Sequence, residues 1–386
     1  MTLAFEFATA TRIVFGPGKV SEAASEAASL GLRALVVGGS RPGRLQPLLE
    51  KLRAARVGFT LFSVPGEPTL PVVSAGVARA GAEGCAAVIG CGGGSVLDAA
   101  KAIAALLTNP GDPLDYLEVV GRGNPLPHPP APCICLPTTA GTGCEVTRNA
   151  VLIAPEQRVK VSLRSPMMLP RLAVVDPELT RSLPPSLTAS TGLDALTQLV
   201  EPLLSVRSHP LTDGLCRDGI RRAARWLRAA CADGDDMEAR ENMALASLFG
   251  GLALANAGLG AVHGLAAPLG GMFPVPHGIV CARLLPGALG VNLSALRSRA
   301  PGSPALARMD EVARLLTGDG RAGAEDGIEW LERLVADLGL PRLGAFGLTR
   351  EDLGAVASQG VRSSSMRGNP LPLEREELCA ILESAL

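Results

Sequence analysis

The chain is expected to fold as two domains, an α/β domain over residues 1–184 built on a parallel sheet with flanking helices, and an all-helical domain over residues 185–386. Three observations carry this expectation. A length of 386 residues with 47% hydrophobic side chains exceeds what one core usually holds. The first half alternates short apolar runs rich in β-branched residues with helical spacing, the pattern of strands joined by crossover helices. Past Asp176 those runs vanish and long helical patterns take over.

Taken in order, strands are expected at residues 12–15, 34–37, 60–64, 87–89, 133–136 and 172–175. Between them, residues 19–30, 45–55, 72–82 and 95–107 carry apolar positions at helical intervals. Residues 121–132 hold five prolines, which cannot donate backbone hydrogen bonds and suit an extended connection. The domain boundary is placed at residues 183–186, where Pro184 and Pro185 precede a helix start. Helices are then expected at residues 186–204, 212–230 and 237–255.

Composition narrows the function classes. With 45 glycines, 31 prolines and 3% aromatic residues, packing must rely on small aliphatic side chains. The 36 basic and 37 acidic residues leave a net charge of -1 and form no tract, which argues against nucleic acid or a membrane surface as partner. Apolar runs such as residues 99–107 fall short of the roughly 20 residues of a membrane span, and residues 1–11 lack the basic start and apolar core of an export signal. The nine cysteines are irregularly spaced, with Cys133 and Cys135 the closest pair and no C-x-x-C. They read as buried small hydrophobes in a reducing compartment, so a cytoplasmic location is expected.

Two loops stand out. Residues 92–101, GGGSVLDAAK, follow an expected strand. Glycines there permit close backbone approach to a phosphate, and the next helix start offers free N–H groups and a favourable dipole. The segment suits a dinucleotide pyrophosphate or an ordinary glycine-rich strand end, being neither G-x-G-x-x-G nor G-x-x-x-x-G-K-[ST]. Residues 137–147, PTTAGTGCEVT, also follow a strand and offer the hydroxyls of Thr138, Thr139 and Thr142. Loops at the ends of parallel strands are where open α/β sheets bind ligands.

Four histidines complete the chemical inventory. His128 and His209 each precede proline in what read as exposed connections, without a partner pattern. His263 sits in the helical run VHGLAAPLGG and His277 in VPHG, 14 residues on. Asp194 lies in TGLDALTQLVE, a buried-looking helix where an unpaired carboxylate is costly unless it meets a cation. Gln198 is its i+4 neighbour on the same face. Asp194, His263 and His277 suit a three-ligand metal site with an open position, or paired core histidines.

These motifs taken together resemble the iron-containing (group III) alcohol dehydrogenases, with their relatives glycerol dehydrogenase and maleylacetate reductase. The resemblance spans the chain. It runs through FGPG (15–18), GEPT (66–69), GGGSVLDAAK, PTTAGTGCEVT, residues 160–170, VDP (175–177), TGLDALTQLVE, HGLAAPLGG and PHG. It implies a dehydroquinate synthase-like fold, with a dinucleotide-binding α/β domain, an all-helical metal and substrate domain, and a site in the cleft between them. It also implies NAD or NADP, a divalent metal such as iron(II) or zinc, a small alcohol, aldehyde or ketone as substrate, and a homodimer or larger homo-oligomer. Carried over by motif, Gly93, Gly94, Ser95 and Asp98 would line the pyrophosphate and nicotinamide region, with Thr138, Thr139, Thr142 and Lys160 along the rest of the cofactor. Asp194, His263 and His277 fall on the family's metal-ligand positions and would be catalytic through that metal.

The chain departs from the pattern at four places. Gln198 stands where the family usually has a histidine ligand and is expected as a fourth, poorer metal ligand through its carbonyl oxygen, which suits harder cations. Ala267 replaces a histidine common in the family's cleft, removing a candidate proton relay. Cys144 replaces the serine of the threonine-rich loop. After the first dinucleotide strand, Gly39, Ser40 and Arg41 appear where NAD-preferring members often carry an aspartate for the ribose diol, which opens the position to the 2'-phosphate of NADP. Three alternative readings remain: a metal-independent carbonyl reductase resembling maleylacetate reductase, favoured by Gln198; a lyase resembling the NAD-dependent sugar-phosphate cyclases; and a non-catalytic binding protein, favoured only if neither metal nor cofactor binds.

Overall fold

The computed structural model describes residues 4–157 and 159–386; the outermost residues of the expected first domain, 1–3, and Arg158 lie outside them. The chain divides into two compact units. One comprises Ala8–Thr139 and Gly143–Ser182, the other residues 4–7, Ala140–Thr142 and Leu183–Leu386.

The first unit is built on a six-stranded, all-parallel sheet. Its elements are β1 (Ile13–Phe15), α1 (Val20–Leu30), β2 (Ala34–Gly38), α2 (Gln46–Ala54), β3 (Phe59–Ser63), α3 (Leu70–Ala82), β4 (Ala87–Gly92), α4 (Gly94–Thr108), β5 (Cys133–Pro137), β6 (Asn149–Ala154), β7 (Val159–Arg164) and β8 (Leu172–Val175). The strand order is β1-β8-β5-β4-β2-β3. The central strands β2, β4, β5 and β8 are buried along their whole length, as strands covered on both faces must be. Helices α1 and α2 pack Ala23, Leu48 and Leu52 onto one face, against Ile89, Ile134 and Val174. Helix α4 lies in the layer on the other face, where Leu97 and Ile103 share a core with Leu35, Val37 and Val88.

The antiparallel pair β6–β7 was not among the expected strands. Its inward residues Ala150, Leu152, Val161 and Leu163 join the same core as α4, and its backbone meets that helix at Asp98 and Lys101. Every residue of α4 from Val96 to Leu106 is buried. A helix covered by a sheet on one side and a hairpin on the other needs no polar face, which is why its buried stretch is apolar all round except for the paired Asp98 and Lys101.

The second unit is helical: α5 (Pro185–Leu204), α6 (Pro210–Ala232), α7 (Met237–Ala257), α8 (Ala261–Met272), α9 (His277–Arg299), α10 (Pro304–Thr317), α11 (Ala324–Asp337), α12 (Leu353–Gly360) and α13 (Arg375–Ser384). One hydrophobic core runs through all of them, with Leu193, Leu196, Val262, Leu265, Leu284 and Leu285 at its centre. The apolar runs judged too short for a membrane span did not include α9. This 23-residue helix passes that test by length and hydropathy, yet 61% of its apolar window is buried inside the unit. His209 also corrects the expectation of an exposed connection. It is buried, its ring stacked on Phe5 at 4.2 Å between centroids, whereas His128 is exposed.

Candidate functional site

In the α/β unit, Gly39, Ser40, Gly93, Gly94, Ser95, Thr138 and Thr139 lie at or just beyond the carboxyl ends of neighbouring parallel strands. From β2 the chain moves outward to β3, then returns to β4 on the other side of β2 and continues to β5. The sheet therefore reverses winding direction between β2 and β4, the place where open α/β sheets receive ligands. Gly39 and Ser40 leave β2 there, and Gly93, Gly94 and Ser95 leave β4. Thr138, after β5, donates its backbone N–H to the Gly92 carbonyl at 2.9 Å, which sets the two loops side by side.

Close packing explains the glycines of this turn. A Cβ on Gly92 would lie 2.5 Å from the Val96 Cβ, and one on Gly90 would lie 2.7 Å from the Ala100 Cβ. Side chains there would push α4 off the strand that feeds it. The N-cap residue Gly93 offers no side-chain acceptor to the first turn of α4, leaving the end of the helix to an anion.

The structure gives two predicted cofactor residues other partners and groups a third with the helical unit. Asp98 is nearly buried; one carboxylate oxygen accepts from the Val151 N–H at 3.1 Å and the other lies 3.2 Å from Lys101 Nζ. Burial raises its pKa against the pull of Lys101. Lys101 also donates to Thr147 Oγ1 at 2.9 Å and to the Asn149 carbonyl, so this pair ties α4 to the hairpin. Lys160 makes an ion pair with Glu67 at 3.1 Å. Thr142 groups with the helical unit, where Gly141 approaches Thr191 so closely that a Cβ would lie 2.9 Å from its carbonyl oxygen.

In the helical unit the predicted ligands converge. Asp194 comes from the middle of α5, His263 from the first turn of α8, and His277 from the first residue of α9. His263 Nε2 and His277 Nε2 lie 3.4 and 3.6 Å from Asp194 Oδ1. The glycine after His277 makes the approach possible, since a Cβ on Gly278 would fall on the backbone carbonyl of Ser190 in α5. Gln198 does not point a carbonyl oxygen at the cluster. Its Nε2 donates to Asp194 Oδ1 at 3.0 Å and its buried Oε1 has no hydrogen-bond partner.

Two residues that the sequence reading passed over complete the cluster. Glu201, on the same face of α5 seven residues beyond Asp194, accepts from the Val262 N–H at 2.7 Å and holds His263 Nδ1 at 2.6 Å. Such a carboxylate fixes the tautomer, turning the lone pair of Nε2 into the site. Cys281, one turn beyond His277 in α9, places its sulfur 3.7 Å from His263 Nε2 and 3.6 Å from His277 Nε2. The i+7 and i+4 spacings were the available signals.

The electrostatics are those of a centre that wants positive charge. Burial drives the Asp194 carboxyl upward, but His277, His263 and the Cys281 thiol outweigh it and hold its pKa below the ordinary range. Cys281 and then Asp194 lift His277 to about 9 against burial. His263 is also raised, with Cys281, Asp194 and Glu201 overcoming a large desolvation penalty. The donors Asp194, His263, His277 and Cys281 all lie within 4.8 Å of one another, and this carboxylate, imidazole and thiol set fits a divalent metal ion.

A switch point with glycine-rich strand ends on a parallel sheet, and a carboxylate–imidazole cluster on a helical scaffold, are the features of cofactor-dependent enzymes that use a metal. Comparison with known proteins resolves the class further. The family described as iron-containing alcohol dehydrogenase matches residues 10–177, and its C-terminal domain, described as Fe-containing alcohol dehydrogenase family, C-terminal, matches residues 188–386. The chain is 35% identical to a probable alcohol dehydrogenase EutG of Escherichia coli (strain K12), over 96% of this chain and 92% of that protein. It superposes on a crystal structure of 1,3-propanediol oxidoreductase with a TM-score of 0.91 at 34% identity, covering all of both chains. It superposes on sulfoacetaldehyde reductase from Bifidobacterium kashiwanohense in complex with NAD+ with a TM-score of 0.87 at 28% identity, over 100% of this chain and 99% of that one.

The chain belongs to the iron-containing alcohol dehydrogenase family. It is an oxidoreductase that moves a hydride between a nicotinamide cofactor and an alcohol or its carbonyl counterpart, and the cyclase alternative falls away.

Proposed function

We propose that this enzyme is a metal-dependent reductase of small aldehydes or ketones, and in reverse an alcohol dehydrogenase, working in the cytoplasm as a homodimer or larger homo-oligomer. The observation that carries the metal dependence is the convergence of Asp194 Oδ1, His263 Nε2 and His277 Nε2 from three separate helices. When bound, the divalent cation supplies Lewis acidity toward the substrate oxygen and the nicotinamide supplies or accepts the hydride.

The protein's own residues do the positioning. Glu201 locks the His263 ring, and Gln198 steadies the Asp194 carboxylate through its amide N–H. Gly93, Gly94 and Ser95 hold the cofactor pyrophosphate at the start of α4, beside Thr138 and Thr139. Ala267 brings no ionisable group, so the proton of the alcohol leaves through water or a cofactor hydroxyl. Ser40 and Arg41, both exposed beyond β2 with no acidic residue near them in the sequence, accommodate a 2'-phosphate, and NADP(H) is the expected preference.

A screen of small aldehydes and alcohols with both nicotinamide cofactors, with and without iron(II) or zinc, tests this reading. Turnover should require the metal, His263→Ala should abolish it, and NADPH should bind more tightly than NADH by fluorescence titration. The second reading, a metal-independent reductase, rests on Gln198 spending its N–H on Asp194 rather than its oxygen on a cation. Full activity in metal-free, EDTA-treated protein would favour that reading and reject the first.

A further inference from the structure

Cys281 is fully buried in α9 and belongs to the donor cluster, yet the ligand set read from the family's motifs has no place for it. At the same time Gln198, at the position of a usual histidine ligand, turns its nitrogen to Asp194. We infer that the Cys281 thiolate is itself a metal ligand that takes over the coordination place vacated at Gln198, giving an Asp194–His263–His277–Cys281 set that favours zinc over iron(II). This rests on the metal-dependent reading proposed above.

The spacing of the donor atoms carries the inference. A tetrahedral zinc ion bound at about 2.0–2.1 Å to nitrogen and oxygen and about 2.3 Å to sulfur holds its ligands about 3.4 Å apart for nitrogen–oxygen pairs and about 3.6 Å apart for sulfur–nitrogen pairs. The two nitrogen–oxygen edges here are 3.4 and 3.6 Å. The two sulfur–nitrogen edges are 3.7 and 3.6 Å. Four of the six edges thus match those of a tetrahedral zinc site, and all four donor atoms lie within 4.8 Å of one another.

Chemistry agrees with geometry. Asp194 and a Cys281 thiolate together offset the charge of a divalent cation among donors that, apart from His277, are buried, where an uncompensated charge would be expensive. A soft sulfur donor beside imidazoles suits zinc, which also binds most N/O/S sites more tightly than iron(II). On binding, the thiol proton is released to the buffer as the sulfur–metal bond forms. A zinc ion held by these four donors would still be able to expand its coordination to admit a substrate oxygen.

Cobalt(II) titration of the metal-free, full-length protein tests the assignment. The wild type should show a near-ultraviolet sulfur-to-cobalt charge-transfer band beside the visible ligand-field bands. Cys281→Ser should remove the charge-transfer band and weaken zinc binding by more than the roughly 10- to 100-fold that loss of an outer-shell partner costs. Adding Gln198→His to that variant should recover affinity without the band and shift competition between zinc and iron(II) toward iron. Cobalt bound by the wild type without the charge-transfer band, or a band that survives in Cys281→Ser, would overturn this inference and leave the metal-dependent function intact. Failure of the wild type to bind any of the three metals would overturn both.

Discussion

Replacing Glu201 with alanine should separate the stability of the helical unit from its affinity for metal. The carboxylate serves two donors at once, the Val262 N–H at 2.7 Å and His263 Nδ1 at 2.6 Å, and both lie in buried surroundings. Its truncation leaves two donors without acceptors, at about 1–3 kcal/mol each. The Val262 share destabilises the protein whether or not metal is bound. The His263 share appears in metal binding, because an imidazole freed at Nδ1 can turn away or take the wrong tautomer; the expected loss is about 10- to 100-fold in zinc affinity, or roughly 1.4–2.7 kcal/mol. Competition against a chromophoric chelator reads the affinity, and thermal unfolding of the metal-free protein reads the stability. Glu201→Gln, which keeps an acceptor oxygen but not the charge, should fall between wild type and Glu201→Ala. An alanine variant that is destabilised yet binds zinc as tightly as wild type would refute the positioning role and reduce Glu201 to a cap on α8.

Glu145, in the threonine-rich loop, is buried with Oε2 unpartnered, and burial pushes its pKa up from the ordinary 4.5 to about 7 against the pull of its own backbone N–H and of Lys101. Between these values the unfolded chain has released the proton while the folded chain keeps it, so stability falls as pH rises from 4.5 toward 7, by about 3 kcal/mol in all. Calorimetric unfolding of Glu145→Gln across this range should lack that decline, and parallel curves for variant and wild type would contradict it. Gly278→Ala places a methyl group against the Ser190 carbonyl, whose carbon would lie only 2.7 Å away. Both sides of the clash are backbone, so the first turn of α9 must move and carry His277 with it. Zinc affinity should drop sharply while circular dichroism stays near that of wild type, and unchanged affinity would show that His277 is not held by this contact.

The local character of strands and helices made much of the fold legible. Alternating apolar runs place β2, β4 and β5 and the helices between them because each pattern lies within a dozen residues. The glycines of residues 92–94 and the separate appearances of Asp194, His263 and His277 were equally visible, since chemistry-bearing residues stand out against an alanine- and leucine-rich background. Hairpin β6–β7 escaped because its strands are only half-covered, and its role as a lid on α4 depends on residues around 50 positions away in sequence.

Within the site, Gln198, Glu201 and Cys281 took their roles only from packing. Each could be placed on a helix face by counting, but a helix face specifies no neighbour. Contacts such as Gly278 on Ser190 set how closely α5 and α9 approach, and that approach decides that a glutamine turns its nitrogen to a carboxylate, a glutamate grips His263, and a cysteine stands among the metal donors. Periodicity and motif are properties of neighbouring residues along the chain, whereas coordination is a matter of a few tenths of an ångström between helices, which only the folded packing determines.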